Sequence, residues 1–233
     1  MKKLETERLI LKPLSIDDTE VIFNEILNNK DTLYFLDWPY CENMDESKKY
    51  VQILIDNANS KKLYIWSLFE KDTNTFIGCV NLCNYDVNKR MAEIEYVAVR
   101  SARGKGYVPE ANRKVIDYLI NECGLYRIEA VCNVENIASS KVLEKSGMKF
   151  EGILRGRAIN LNEEGNPGDL KMFSIIPKDF NKLSRWRNFS LVFVKDKFSS
   201  ITSLVSVQMK QSCLYFEIWI LTKCIKTLQL VLM

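Results

Sequence analysis

The 233-residue chain contains no histidine. This absence excludes every Ser–His or Cys–His nucleophile and every histidine-ligated metal site. A base at an active site must therefore be a carboxylate, a tyrosine, a lysine or a water molecule, and we expect no metal cofactor. The chain also lacks the phosphate loop G-x-x-x-x-G-K-[ST], and no G-x-G-x-x-G follows its first predicted strand. Both absences argue against a nucleotide-binding α/β protein.

Glycine and proline are missing from the end of the chain, because all nine glycines and all five prolines lie at or before Pro177. Residues 181–233 carry 8 basic and 2 acidic residues, and their apolar runs are too short or too interrupted by charge for a transmembrane helix. We therefore predict a domain over 1–180 and a separate tail over 181–233. Three interpretations of the tail stay open: additional packing or homodimer surface, a translation or gene-model artefact, and a membrane-surface helix.

The composition, 47% apolar and 27% charged, is typical of a soluble globular protein. A formal charge of +3 is too small to indicate a nucleic-acid partner, and the first 180 residues alone carry −3, which favours cationic amine substrates. The N-terminus has no continuous apolar segment of the signal-peptide type, which predicts a cytoplasmic protein. The seven cysteines are odd in number, and we expect free, buried thiols at Cys41, Cys79, Cys83, Cys123, Cys132, Cys213 and Cys224.

Hydrophobic periodicity and turn residues predict an α/β domain of mixed strands that ends near Phe180. The predicted strands cover 8–12, 63–70, 75–82, 91–100, 127–133, 149–159 and 170–176. Four helices are predicted. The first begins at a Ser15 cap, and the second covers 45–57. The third runs from Pro109 to a stop at Gly124 with Cys123 on its apolar face, and the fourth runs from an Asn136 cap to Gly147.

A basic glycine turn follows the strand predicted at 91–100. Gly104 and Gly106 permit positive φ and a close approach to a ligand, and the helix that follows adds free N–H groups and a positive dipole end. Arg103 and Lys105 contribute cationic charge that suits a phosphate. The turn is therefore predicted to hold a phosphorylated cofactor. The alternative is a structural turn with two solvated cations.

Two acids precede this turn on the predicted strand. Glu93 and Glu95 share one face of it because side chains alternate with period two. Either carboxylate can accept a proton from an amine, directly or through water, and two close carboxylates raise the pKa of one of them. The alternative is a pair of solvent-facing acids on an edge strand.

Residues 4–180, and above all 93–152, resemble the GCN5-related N-acetyltransferase (GNAT) superfamily, most closely its ribosomal-protein N-terminal acetyltransferases of the Rim type. The matching motifs are R-G-K-G-Y at 103–107, E-A at 110–111, L-Y-R-I at 125–128, N-x-x-S at 136–139, E-K-S-G-M at 144–148 and E-G at 151–152. Ser101 departs from the pattern, because the superfamily often has Gln or Arg there. We expect weaker rather than abolished cofactor binding from this change.

The resemblance implies a mixed, mostly antiparallel sheet flanked by helices, with a splayed central strand pair for acetyl-CoA. Glu93 matches the acidic position of the Rim-type pattern and is the first candidate for the base, whereas Glu95 stands where that pattern has glycine. The Ser139 hydroxyl is expected to protonate the departing thiolate, and Tyr126 and Cys132 are lesser candidates for which ordinary core packing is the alternative. The implied acetyl-CoA contacts are Val97, Ala98, Val99, Arg103, Gly104, Lys105, Gly106, Tyr107, Val108, Asn136 and Ser139.

The implied reaction is direct attack of a neutral amine on acetyl-CoA. A protein α-amino group, with a pKa of about 7.7–8.0, is the expected acceptor because a lysine side chain near 10.4 is far harder to deprotonate. A small amine such as a polyamine or an aminoglycoside, and a non-catalytic acyl-CoA-binding module, remain alternatives. Residues 33–44 are expected to line the acceptor pocket. Trp38 and Tyr40 within them would suit an amine or a peptide end, and ordinary packing of the two aromatics is the alternative.

Overall fold

The computed structural model describes residues 2–60, 63–86, 88–158 and 167–180. The predicted tail at 181–233, with Cys213 and Cys224, lies outside the described residues, and so does most of the turn predicted between the last two strands. No helix in the described ranges is long and apolar enough to cross a membrane.

One eight-stranded sheet organises the described residues. The strands are β1 (Leu4–Glu5), β2 (Leu9–Pro13), β3 (Tyr64–Glu70), β4 (Phe76–Asp86), β5 (Met91–Ala98), β6 (Arg127–Asn133), β7 (Lys149–Leu154) and β8 (Leu170–Ile175). Their order in the sheet is β1-β2-β3-β4-β5-β6-β8-β7, and all neighbouring strands are antiparallel except β5 and β6, which are parallel.

Helices flank the sheet, which confirms the predicted fold class. The helices are α1 (Thr19–Ile22), α2 (Lys30–Leu33), α3 (Met44–Asn59), α4 (Tyr107–Asn121) and α5 (Ile137–Lys145), with 3₁₀ turns at Ile16–Asp18 and Arg100–Ala102 and a π-helical turn at Phe23–Leu27. The helix α3 packs against α1 and β3, α4 against strands β1, β2, β4 and β5, and α5 against β6 and β7.

The central strands β5 and β6 separate partway along their length. They pair only from Met91 to Glu93, although β5 continues to Ala98 and β6 to Asn133. The strand pair therefore opens a gap beyond Glu93, and the splayed geometry that the resemblance implies is confirmed.

Local signals placed most elements correctly, and the exceptions have physical reasons. The predicted helix after Ser15 is capped as expected, but it is divided into a 3₁₀ turn, α1 and a π-helical turn. Buried Asp18 explains the irregular start, because it accepts a hydrogen bond from Ser67 Oγ at 2.8 Å and pairs with Lys12 at 2.9 Å. The strand predicted at 149–159 ends at Leu154, and the chain turns at Gly156 with φ +60°.

The core lies between the sheet and its helices. Ala111, Val115, Ile116 and Leu119 form the buried stripe of α4 that the periodicity predicts. The prediction that this stripe includes a buried Cys123 is wrong: α4 ends at Asn121, and the Cys123 side chain is exposed. Among the other described cysteines, which are all free, Cys83 is half-buried and the rest are buried: Cys41, Cys79 and Cys132.

Candidate active site

A cavity of about 880 Å³ lies in the gap between β5 and β6. Two groups of lining residues differ in chemistry. We call the first the basic wall, and it consists of Arg103, Gly104, Gly106, Lys141 and Lys145. We call the second the acidic cluster, and it consists of Asp37, Trp38, Tyr50, Asn81 and Glu95.

The basic wall centres on the glycine turn before α4. Gly104 and Gly106 have φ of +78° and +80°, the left-handed conformation that glycine adopts without strain. Gly106 is the N-cap of α4 and, being a glycine, has no side chain with which to cap the helix. The first N–H groups of the helix therefore have no partner from the cap residue or from the helix itself. Lys141 and Lys145, four residues apart on α5, add positive charge to the same cavity. This arrangement suits a phosphate group.

Hydrogen bonds hold the glycine turn in place from outside the cavity. Arg8 Nη1 donates to the Lys105 carbonyl at 3.1 Å, and the same guanidinium pairs with Glu110 at 2.7 Å. On the cavity side, Arg103 Nη2 donates to Thr32 Oγ1 at 3.1 Å and Arg103 Nε to the Ala98 carbonyl at 3.3 Å. The turn is thereby connected to β5 and to α2.

The remaining predicted cofactor residues divide into two groups. Val99 is buried, its N–H donates to Ile77, and neither it nor Lys105 is part of the cavity lining. The structure thus brings most of the predicted set to one surface. Those that line the cavity, besides the three in the basic wall, are Val97, Ala98, Tyr107, Val108, Asn136 and Ser139.

A second polar pair stands at the start of α5. Asn136 caps the helix by accepting from the Ser139 N–H at 3.0 Å, as the sequence predicts. The Ser139 hydroxyl lies 2.7 Å from the Tyr96 hydroxyl, and that phenol also lies 3.1 Å from the Ser139 carbonyl. A phenol is protonated at neutral pH, and burial raises the pKa of Tyr96 further, so its single O–H donates either to the Ser139 carbonyl or to the Ser139 hydroxyl. In the second arrangement the serine O–H is free to donate into the cavity.

The two candidate bases occupy different positions although they share a strand face. Glu93 accepts a hydrogen bond from Asn84 Nδ2 at 2.8 Å, and it is not among the cavity-lining residues. Glu95 lines the cavity two residues past the last β5–β6 pair. Solvent reaches Glu95 through the cavity, yet the surrounding protein raises the pKa of its carboxyl, chiefly by desolvation and in part by the charges of Glu93 and Asp37.

The acidic cluster surrounds Glu95 with aromatic and polar groups. The rings of Trp38 and Tyr50 meet edge to face with centroids 6.0 Å apart. Burial, and then the charges of Glu95 and Asp37, raise the pKa of Tyr50. Asn81 lies directly opposite Glu95 in the β4–β5 ladder. The cluster combines negative charge with flat apolar surfaces, which suits a cationic amine bearing an apolar group.

Several residues in the cavity were not singled out from the sequence. Tyr96, Asn81 and Tyr50 carry no local signal, because each gains its role from neighbours distant in the chain. Lys141 and Lys145 could have been found, since their spacing of four places both on one face of the helix that Asn136 caps.

The structure places four aromatic and cysteine candidates, two of them in the cavity lining and two outside it. Trp38 lines the cavity with the preceding segment from Tyr34, whereas Tyr40 does not and instead lies beneath the Lys30 ammonium at 5.0 Å. Cys132 lines the cavity near Ser140. Tyr126 is 55% exposed and not part of the cavity lining, so it lies neither at the candidate site nor in the core, where the alternative interpretation placed it.

The model of the acetyltransferase (GNAT) domain family matches residues 8–149, so the chain belongs to the GNAT family. YoaA, an uncharacterized N-acetyltransferase of Bacillus subtilis, is 31% identical over 173 residues, which cover 74% of this chain and 96% of that protein. The spermidine N(1)-acetyltransferase of Vibrio cholerae is 28% identical over 149 residues, covering 63% of this chain and 82% of that enzyme.

Among solved structures, the ribosomal L7/L12 α-N-protein acetyltransferase RimL in complex with coenzyme A has a similar fold. The TM-score is 0.68 at 22% identity, covering 75% of this chain and 98% of that one. The resemblance drawn from the sequence motifs is thereby confirmed at the level of the family. The protein is an acetyl-CoA-dependent N-acetyltransferase.

The cavity fits acetyl-CoA on its own geometry. The glycine turn and the two α5 lysines would hold the phosphates, and the gap between β5 and β6 would leave strand backbone for the pantetheine arm. Among the described residues, no group of three or more Cys, Asp or Glu side chains is arranged to hold a metal.

Proposed function

We propose that the protein transfers the acetyl group of acetyl-CoA to a protein N-terminal α-amino group, with Glu95 as the base and Ser139 as the proton donor. The observation that supports this most is the position of Glu95. It is a carboxylate with a raised pKa that opens into the same cavity as Ser139 and the basic wall. Glu93, the candidate favoured by the motif, is turned to Asn84 instead.

In the proposed reaction one proton moves to Glu95 and one leaves Ser139. Acetyl-CoA supplies the activated acyl group. As the C–N bond forms and the C–S bond breaks, Glu95 takes one proton from the amine nitrogen, and Ser139 Oγ gives one to the departing sulfur. Tyr96, hydrogen-bonded to Ser139 Oγ, can replace that proton. Solvent in the open cavity restores both groups afterwards.

The chemistry of the acidic cluster supports an α-amino acceptor. An α-amino group has an ordinary pKa of about 7.7–8.0 and is partly neutral at pH 7, so a carboxylate of raised pKa suffices as base. Trp38 and Tyr50 provide apolar surface for the first side chain of a peptide. The likeness to ribosomal-protein acetyltransferases points to the same class of acceptor.

A polyamine is the second candidate, and one observation favours it. Asp31, Asp37 and Glu95 all line the cavity, so it offers three carboxylates to a molecule with several ammonium groups. The likeness to a spermidine acetyltransferase agrees with this alternative.

Thiol release from acetyl-CoA, measured against N-terminal peptides, lysine peptides, polyamines and aminoglycosides, tests the proposal. We expect turnover on N-terminal peptides and a loss of kcat of about a hundredfold or more in Glu95→Gln. Glu93→Gln is the matched control, with kcat near wild type at pH 8 and unchanged acetyl-CoA affinity in both variants. Preferred turnover of polyamines would establish the second candidate. A large loss in Glu93→Gln alone would transfer the base role to Glu93. Coenzyme A binding without turnover of any acceptor would contradict the proposal.

A further inference from the structure

Arg8 contacts the glycine turn from outside the cavity and uses its whole guanidinium to do so. It precedes β2, and its Nη1 donates to the Lys105 carbonyl at 3.1 Å. Its Nε and Nη2 reach one carboxylate oxygen of Glu110, at 2.8 and 2.7 Å. All three nitrogens of the guanidinium are therefore committed to the glycine turn and to the first turn of α4.

Neighbouring groups hold Arg8 in this position. Its guanidinium carbon lies 4.4 Å from the centre of the Tyr107 ring, and the Tyr107 hydroxyl donates to Glu70 on β3. The other carboxylate oxygen of Glu110 accepts from the Arg8 backbone N–H at 3.0 Å and from Thr6 Oγ1 at 2.5 Å. A planar guanidinium anchored on its edge and on its face keeps one orientation.

The contact with the Lys105 carbonyl fixes the direction of one peptide unit of the turn. In a planar trans peptide the C=O and the N–H point in opposite directions, and no cis peptide occurs among the described residues. Because the Lys105 carbonyl points to Arg8, the Gly106 N–H points away from Arg8. Gly106 lines the cavity, and within the described ranges its N–H donates to no protein group. That N–H is therefore available to a phosphate.

Arg8 also compensates a charge that opposes phosphate binding. Glu110 lies in the first turn of α4, at the helix end that would receive the phosphates. Burial acts to raise the pKa of Glu110, but its hydrogen bonds with Thr6 and Arg8 outweigh burial and lower the pKa, so the carboxyl is ionised at neutral pH. A carboxylate at this position repels a second anion, and the Arg8 guanidinium beside it offsets that repulsion.

We infer that Arg8 is a positioning residue for the phosphates of acetyl-CoA, which orients the Gly106 N–H and neutralises Glu110. Arg8 is not among the cavity-lining residues, so it acts through the turn rather than on the reacting atoms. The inference goes beyond the proposed function, because it concerns the phosphate-bearing half of the cosubstrate and holds whichever amine is acetylated. Loss of Arg8 should therefore weaken a donor that carries phosphates and spare one that does not.

The test measures coenzyme A binding by calorimetry in wild type, Arg8→Gln, Arg8→Lys and the double variant Arg8→Gln/Glu110→Gln. The kcat/KM is then measured with acetyl-CoA and with S-acetylpantetheine, a thioester donor without phosphates. The unfolding midpoint reports whether each variant is folded.

Lys2→Gln is the matched control. Lys2 pairs with Glu122 at 2.7 Å, just past the other end of α4, and its ammonium lies 5.9 Å from the centre of the Tyr118 ring. The control therefore removes the same charge, an ion pair and a ring contact, but far from the glycine turn along the helix. We expect it to bind coenzyme A as wild type does.

Arg8→Gln should bind coenzyme A about tenfold more weakly and lose kcat/KM with acetyl-CoA by a similar factor. Its kcat/KM with S-acetylpantetheine and its kcat at saturating acetyl-CoA should stay near wild type. Arg8→Lys keeps the charge without the planar fork and should recover only part of the affinity. The double variant should bind more tightly than Arg8→Gln, because the uncompensated carboxylate is gone.

Unchanged coenzyme A affinity in folded Arg8→Gln would overturn this inference. Equal losses with the two donors would overturn it as well, because they would indicate a general structural role. If Arg8→Gln does not fold, wild-type affinity in folded Arg8→Lys would overturn it. A protein that binds coenzyme A but acetylates no acceptor would contradict the proposed function alone, since the calorimetric comparison of the variants still decides the role of Arg8.

Discussion

The basic wall comes from two short stretches of chain, residues 103–106 and 141–145, whereas the acidic cluster draws on a loop, a helix and two strands spread over residues 37–95. The first works largely through backbone: positive-φ glycines, uncapped N–H groups and helix ends. The second works through side chains that the sheet and α3 bring together. A cofactor common to a family can be held by a local motif, but an acceptor site specific to one protein depends on the packing of distant elements.

We expect the largest effect, a loss of stability, from a substitution at the contact between β4 and β5, on which both the basic wall and the acidic cluster depend. Gly78, on β4, has φ of +143°, and a Cβ there would stand 2.0 Å from the Val97 carbonyl oxygen of β5. Gly78→Ala must push apart the strands that carry Asn81 and Glu95, so we expect the free energy of unfolding to fall by about 3 kcal/mol. Urea denaturation measures it. Gly124→Ala, with positive φ but open space, is the control and should cost about 1 kcal/mol. Equal losses in the two variants would contradict the strand-contact explanation.

A change confined to the basic wall should separate it from the acidic cluster. Gly106 has φ of +80°, and its Cβ position is open apart from Arg8 Nη2 at 3.6 Å. Gly106→Ala therefore strains the backbone without a clash, by about 1–2 kcal/mol, and displaces the N–H groups that would bind the phosphates. We expect acetyl-CoA to bind about tenfold more weakly, measured by calorimetry, with KM for the acceptor unchanged. A weakened acceptor KM with intact acetyl-CoA binding would reverse the roles given to the two regions.

The smallest effect is expected on the pH dependence of kcat, when charges near Glu95 in the acidic cluster are removed. Glu95 must be ionised to accept a proton. We therefore expect kcat to have its full value above the pKa of Glu95 and to fall as the pH drops through that pKa. The charge of Glu93 raises that pKa, so Glu93→Gln should lower it and move the acidic limb of the kcat profile to lower pH. Asp37→Asn should move the limb in the same direction by less, because the influence of Asp37 on Glu95 is smaller.

The matched control for the pH experiment is Lys141→Gln in the basic wall, which should leave the limb in place. The profile is recorded at saturating acceptor. A limb that does not move in Glu93→Gln, or that moves to higher pH, would show that the titrating group is not Glu95.

Sequence patterns alone determined the features that depend on neighbouring residues. The Ser15 and Asn136 caps, the glycine turn and the strand over 127–133 all follow from short-range hydrogen bonds, φ preferences and side-chain alternation. The motif resemblance added the family, acetyl-CoA and the splayed strands, because in this family the cofactor site is a nearly continuous segment. These signals cannot distinguish Glu93 from Glu95 as the candidate base, because period-two alternation places both side chains on one face of the strand.

Only the tertiary structure separates the positions of the two carboxylates, and that separation supports the proposal that Glu95 is the base. Glu93 is the last residue of β5 paired with β6, and Asn84 on β4 takes up its carboxylate. Glu95 lies past that pair, where the strands have separated and the cavity begins. The same packing placed Asn81 opposite Glu95. Strand pairing joins residues that are far apart in the chain, and the point where pairing stops is set by the whole sheet, so no local pattern encodes it.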